Sequence, residues 1–194
     1  MSNNLTIDHI NEDLVIRFTR PAIRNPLSIE VLDELRSVLI DCTAQGETAK
    51  IIFTGTNDVF ASGADLNEIK RITADSAAEF ALRGQALMTM ISRLQQTTIA
   101  AVNGFCFGGA LDLALACKRR IASPNATFAH PGSRLGIITG WGGTQRLPRL
   151  IGQANALEMF FTAEAINAER AFTVGLIDQI SDDPLQSALS LTAV

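Results

Sequence analysis

A chain of 194 residues with 47% hydrophobic and 19% charged side chains has ordinary globular composition, and its length lets it bury roughly 70% of the surface that the unfolded form exposes. Its net charge of −4, with no basic cluster longer than Lys118-Arg119-Arg120, argues against a nucleic-acid-binding surface. No sequence repeat, low-complexity tract or linker divides the chain, so one domain is expected over 1–194, with a core from about 5 to 180 and a short helical remainder over 181–194.

The opening Met-Ser-Asn-Asn-Leu-Thr lacks a basic run followed by an apolar core, so no secretory signal is expected. Strands are expected over 5–10 and 14–19, then a helix over 28–44 capped by Ser28. An apolar strand over 51–54 leads through small residues to Asp65, placed to cap a short helix. Residues 75–95 carry Ala78, Leu82, Leu87, Met90, Ile91 and Leu94 at the spacing of a long amphipathic helix. Residues 98–102 read as a buried strand, Gly104, Gly108 and Gly109 permit a turn, and 110–117 return to helical apolar spacing. The stretch 98–117 is about long enough to span a bilayer, but Asn103, Asp112 and the glycines inside it argue for a buried strand-turn-helix and against a membrane span. Short strands at 119–122 and 127–129 precede a largely helical last third, in which Asn167 is placed to cap a helix running to Val174 and stopped by Gly175. Alternating strands and helices make the fold class α/β. Cys42, Cys106 and Cys117 are odd in number and lack metal spacing, so free thiols, no metal site and a reducing cytoplasm are expected.

The chemistry is concentrated at two turns. The first-turn N–H groups of a helix lack intrahelical acceptors and, with the helix dipole, favour negative charge. Gly109 opens such a helix with no side chain to block approach. In the earlier turn, Phe60-Ala61-Ser62-Gly63-Ala64-Asp65-Leu66, the Ala64 N–H is a candidate second donor. Two donors converging on one carbonyl make an oxyanion hole.

Phe60-Ala-Ser-Gly-Ala-Asp-Leu and Asn103-Gly-Phe-Cys-Phe-Gly-Gly-Ala-Leu-Asp-Leu resemble the two signatures of the enoyl-CoA hydratase/isomerase (crotonase) superfamily. Arg20-Pro-Ala-Ile-Arg-Asn-Pro-Leu-Ser, Leu135-Gly-Ile and Gly142-Gly-Thr-Gln-Arg-Leu-Pro-Arg-Leu-Ile-Gly extend the likeness in order from Leu5 to about Ile180. The resemblance implies a spiral of ββα repeats and a coenzyme A thioester as substrate, with no tightly bound cofactor. It also implies an enolate held by the N–H groups of Ala64 and Gly109, with Ala61, Gly63, Ala64, Asp65, Leu66, Gly108 and Gly109 lining the substrate site. Hydration or double-bond migration is the reaction class, and a cytoplasmic trimer or pair of trimers is the implied assembly.

Two departures stand out. The glutamates that hydratases of this family use fall on Asp112 and on Gly132, so one carboxylate is shortened and the other is absent. Asp112 remains as the acid/base candidate. His130, two residues before Gly132, is the auxiliary candidate because a neutral-pH proton carrier is best supplied by imidazole. Ser133 and Thr139 are placed to orient water, Arg134 to pair with a carboxylate, and Trp141 either to line an acyl pocket or to pack. The second departure is the short stretch after Gly175-Leu-Ile-Asp-Gln-Ile, where relatives carry further helices. Residues 185–194 are therefore expected to lie exposed unless a partner covers them. Two other readings remain: a catalytically weak acyl-CoA-binding paralogue or complex subunit, and a serine hydrolase using Ser62, His130 and Asp112, which lacks a nucleophile elbow.

Overall fold

The computed structural model describes residues 4–46 and 48–192. The chain opens with an antiparallel hairpin, β1 (Leu5–Ile10) and β2 (Asp13–Phe18), then a two-residue strand β3 (Pro26–Leu27) and helix α1 (Ile29–Gln45). Ser28 caps α1 through the N–H of Val31 at 3.3 Å, as its residue type predicts. A carboxylate reaches the same helix end: Glu68 accepts from the N–H of Ile29 at 3.1 and 3.0 Å.

After α1 the chain makes a run of similar passes. The first contains β4 (Lys50–Thr54), β5 (Val59–Ala61), β6 (Gly63–Ala64), α2 (Leu66–Ile69) and α3 (Ala74–Arg93). The second contains β7 (Thr97–Val102), β8 (Phe105–Phe107) and α4 (Gly109–Ala116). The third contains β9 (Arg119–Ala122), β10 (Thr127–Ala129), α5 (Gly143–Ile151) and α6 (Gln153–Thr162). Then come β11 (Ile166–Asn167), α7 (Ala168–Thr173), β12 (Gln179–Ile180) and α8 (Pro184–Ser190). Each pass puts its first strand into a six-stranded sheet, ordered β1-β2-β4-β7-β9-β12, and its next into a four-stranded sheet, ordered β11-β10-β8-β5. Within the second sheet Ala61 pairs with Cys106 and Phe107 with Ala129, all in parallel. The ends of β5, β8 and β10 therefore stop level with one another, and the turns after them meet.

Strands β2, β4 and β7, in the middle of the larger sheet, are buried on both faces and read as largely apolar runs. Ile51 and Phe53 of β4 enter the main core with Leu14, Ile16, Phe18 and Phe60. Ile52 points the other way, joining Val15, Ile99, Ala101 and Ile121 under α8. The expectation that residues 185–194 lie exposed is corrected over the described part: Ala188 is fully buried and Leu185, Leu189 and Leu191 pack on this second cluster. Residues 193 and 194 fall outside the described residues. Lys50 fixes the helix in place. Its ammonium is buried, pairs with Asp13 at 3.1 Å, and donates to the carbonyls of Leu189 and Leu191 at 2.6 Å each.

Other expectations held with small shifts. α3 ends two residues early and is capped by Thr73 and Ser76, and Leu82 faces solvent while Leu87, Met88 and Ile91 are buried. The basic triplet is structural: Arg120 donates to the carbonyls of Cys117 and Leu176 at 2.8 Å each, and Arg119 pairs with Asp178. Among the described residues no helix is long and apolar enough to cross a membrane, and the cysteines are free and buried.

Candidate active site

The meeting turns enclose a cavity of about 780 Å³ whose walls include Ala64, Gly109, Asp112, His130, Gly132 and Trp141. The first wall depends on missing side chains. Gly63 sits at φ +88, and a Cβ there would lie 2.5 Å from the Gly109 nitrogen and 2.7 Å from the Phe107 carbonyl oxygen. Only glycine permits this approach. A Cβ on Gly109 would lie 3.3 Å from the Ala64 nitrogen and inside the indole of Trp141. The backbone nitrogens of Ala64 and Gly109 are thus held near each other on the wall of the cavity. Gly109 is the first residue of α4, with Gly108 before it at φ +55, so its N–H has no acceptor one turn back.

Asp112 lies one turn further along α4 and is fully buried. Its Oδ2 accepts from the Thr139 hydroxyl, while Oδ1 has no hydrogen-bond partner. Burial pushes the carboxyl up from 3.8 to about 6, outweighing Thr139, the Trp141 and Gly143 N–H groups and the Arg146 charge, all of which favour the ionised form.

His130 follows β10 directly. It is 3% exposed, and neither ring nitrogen has a hydrogen-bond partner. Its Nε2 is 3.6 Å from Asp112 Oδ1. The other side of the ring meets Phe160, centroid to centroid at 5.2 Å. Burial alone lowers its pKa from 6.5 to about 4, so the imidazole is neutral near pH 7. His130 is thus a buried imidazole that no hydrogen bond satisfies.

Gly132 is closed off. A Cβ there would lie 2.6 Å from the carbonyl oxygen of Ile137 and 3.2 Å from its carbon, and Ile137 donates its N–H to the Gly132 carbonyl at 3.0 Å. The loop has taken the space a side chain would need, and in doing so it carries Thr139 to Asp112. Trp141 is lodged between two glycines, its indole against the Cα positions of Gly84 on α3 and Gly109 on α4. It both packs and lines the cavity, a dual role that periodicity could not show.

The remaining candidates divide. Asp65 caps α2 through the N–H of Asn67 at 2.7 Å and, with Leu66 and Gly108, lines the cavity. Ala61 is fully buried in β5, behind the wall. Arg134 pairs with Glu164, and Ser133 donates to the Phe161 carbonyl at 3.3 Å. Phe105 and Phe107 stack at 3.7 Å on the cavity wall under the Arg24 guanidinium. Ser62 also lines the cavity, but the unpaired nitrogens of His130 mean that no serine-histidine relay is formed. No group of three His, Cys, Asp or Glu side chains among the described residues is placed to hold a metal.

The family model for enoyl-CoA hydratase/isomerase matches residues 11–192. The chain belongs to the enoyl-CoA hydratase/isomerase family. A crotonyl-CoA hydratase of Syntrophomonas wolfei is 37% identical over 178 residues, covering 91% of this chain and 68% of the relative. A short-chain-enoyl-CoA hydratase of Clostridium acetobutylicum is 36% identical over 179 residues, covering 92% and 69%. Among solved structures, Pseudomonas aeruginosa DspI superposes with a TM-score of 0.92 at 31% identity, covering 97% of this chain and 78% of the other. Enoyl-CoA hydratase from Bacillus anthracis does so with a TM-score of 0.87 at 35% identity, covering 92% and 70%. The spiral of passes described above is accordingly the crotonase-like α/β fold. Within this enoyl-CoA hydratase/isomerase family member, the helix that carries Asp112 holds a carboxylate, and the turn that carries Gly132 holds none.

Proposed function

We propose that this family member acts on an α,β-unsaturated acyl-CoA thioester, holding the thioester oxygen at the N–H groups of Ala64 and Gly109 and moving protons with Asp112. The observation that carries this reading is the convergence of those two nitrogens and a buried, half-unpaired carboxyl on one cavity. Attack on the β-carbon, or loss of a proton along the chain, pushes electrons onto the thioester oxygen. Each well-aimed N–H lowers that barrier by about 3 to 4 kcal/mol. Aspartate in place of glutamate withdraws the carboxyl by about 1.5 Å, and the inward loop that delivers Thr139 and Trp141 narrows the site around it.

Exposed Leu157, Phe161 and Phe172 support self-association of the family type, which sedimentation tests. A second reading, an acyl-CoA binder without turnover, is favoured by the closed position at Gly132. One assay separates the two. Purified protein is mixed with crotonyl-CoA and longer enoyl-CoA esters, and loss of the conjugated thioester absorbance is followed beside Asp112→Asn. Turnover that falls about 100-fold or more in the variant supports catalysis through Asp112. Saturable binding with no turnover in the wild-type protein sinks it in favour of the binder.

A further inference from the structure

Three buried polar atoms make no hydrogen bond of ordinary geometry, Asp112 Oδ1 and both ring nitrogens of His130, although the N–H groups of Trp141 and Gly143 lie close enough to the Asp112 carboxyl to favour its charge. Leaving such groups unpaired costs about 1 to 3 kcal/mol each, and a native site keeps them so when they face a reactant. Oδ1 and Nε2 are 3.6 Å apart, a separation at which one water oxygen lies within hydrogen-bond reach of both. Both residues line the cavity that holds Ala64 and Gly109.

We infer that His130 is the second acid/base residue of this enzyme, sharing one proton with Asp112 and holding with it the water that adds across the double bond. The inference rests on the acyl-CoA reading above and narrows it to hydration.

The step closes without an outside proton. The pair begins as a neutral acid and a neutral base. Water's O–H bond breaks as its oxygen bonds to the β-carbon, and the proton goes to His130 Nε2. The displaced π electrons form an enolate at the Ala64 and Gly109 N–H groups. The enolate then collapses, taking a proton from the Asp112 carboxyl at the α-carbon. What remains is a carboxylate beside an imidazolium, and the proton crosses the 3.6 Å contact to restore the start. Charge separation exists only within the cycle, which suits a pair this deeply buried.

The surroundings favour that arrangement. Arg146 on α5 is the charged group acting on Asp112, Cys106 on β8 is a buried neutral thiol near it, and the apolar Phe160 on α6 backs His130. Thr139 holds Asp112 Oδ2 and leaves Oδ1 to act. Burial raises Asp112 to about 6 and lowers His130 to about 4. Hydration therefore falls as pH rises above about 6, where the acid is lost, and falls again below about 4, where the base is lost.

The test compares wild-type protein, His130→Gln and Asp112→Asn in two reactions. One is hydration of crotonyl-CoA, and the other is deuterium exchange at the α-carbon of butyryl-CoA, which needs the carboxyl and the N–H groups but no water addition. His130→Gln is expected to lose hydration by about 100-fold or more, to lose the acid limb of the pH profile, and to keep α-exchange within about threefold. Asp112→Asn is expected to lose both. His130→Asn takes its place if the glutamine variant does not fold. A His130 variant that hydrates like wild type, or that loses both reactions equally, overturns the role assigned to His130. Wild-type protein that exchanges but does not hydrate overturns the pair while leaving the acyl-CoA site intact. Wild-type protein that does neither overturns the site reading and the pair with it.

Discussion

Restoring a glutamate at position 132 is the obvious repair for this enzyme, and the structure predicts that it fails. Gly132 has no positive φ, so the backbone itself accepts a side chain and the obstacle is steric. A Cβ would sit 2.6 Å from the Ile137 carbonyl oxygen, which is main chain and cannot rotate aside. Ordinary contact requires the loop to retreat by close to 1 Å, against its own hydrogen bond from Ile137 N–H to the Gly132 carbonyl at 3.0 Å. Overpacking of this kind costs about 1 to 3 kcal/mol. At about 2 to 4 °C per kcal/mol for a chain of this size, the melting temperature falls by about 2 to 12 °C. The same retreat draws Thr139 away from Asp112, and a misplacement near 1 Å costs about 100-fold in rate. Urea and thermal unfolding of wild type, Gly132→Ala and Gly132→Glu, with crotonyl-CoA hydration measured on each, checks both halves. Alanine and glutamate should destabilise to a similar degree, because the clash begins at Cβ. A glutamate variant as stable as wild type and faster in hydration would refute the argument that the loop has filled this position.

Three further outcomes are expected. The raised pKa of Asp112 means the folded state holds its proton more tightly than the unfolded state does, so the contribution of this group to stability is greatest below 3.8 and falls as pH rises to about 6. At about 1.4 kcal/mol per unit, Asp112→Asn removes a penalty of about 3 kcal/mol. Denaturation at neutral pH should find the variant more stable as well as less active, and a variant less stable there than wild type would contradict this. Lys50→Met leaves Asp13 without its cation and two carbonyls without a donor. A loss of about 3 to 5 kcal/mol is expected, with hydrogen exchange in α8 accelerating first, whereas uniform acceleration across the sheet would count against the clamp. Trp141→Ala opens the space between Gly84 and Gly109. It costs about 3 to 5 kcal/mol and should raise the kcat/KM ratio of 2-hexenoyl-CoA to crotonyl-CoA, while an unchanged ratio would remove Trp141 from the acyl wall.

Much of this architecture is written locally. Ser28, Asp65 and Asn167 cap helices where their side chains predict, and the apolar runs of β4 and β7 announce strands buried on both faces. The turn chemistry at Gly63 and Gly109 is legible because only glycine permits the approach. β8 was not legible: Phe105 to Phe107 sits between glycines, and its three residues become a strand only because β5 and β10 lie on either side. The packing of Leu185, Ala188, Leu189 and Leu191 against the sheet is held by a lysine 139 residues away from Leu189, beyond the reach of any window. At the site, residue types gave Asp112 and His130, but their 3.6 Å approach, the lack of partners and the filled space at Gly132 are properties of the assembled loops.

The level ends of β5, β8 and β10 carry a consequence for which changes in length the chain can absorb. The two N–H groups and the Asp112–His130 pair hang from three consecutive parallel strands of one sheet, each within a few residues of its strand's end. Extra residues in the exposed turn between α2 and α3 add chain outside this stack and leave its alignment untouched. A single residue inserted within β8 does the opposite. Strand faces alternate, so it would turn Cys106 outward, turn a phenylalanine into the core, and advance α4 relative to Gly63. The enzyme should therefore accept insertions in its outer connections while losing its site to a one-residue shift in β8.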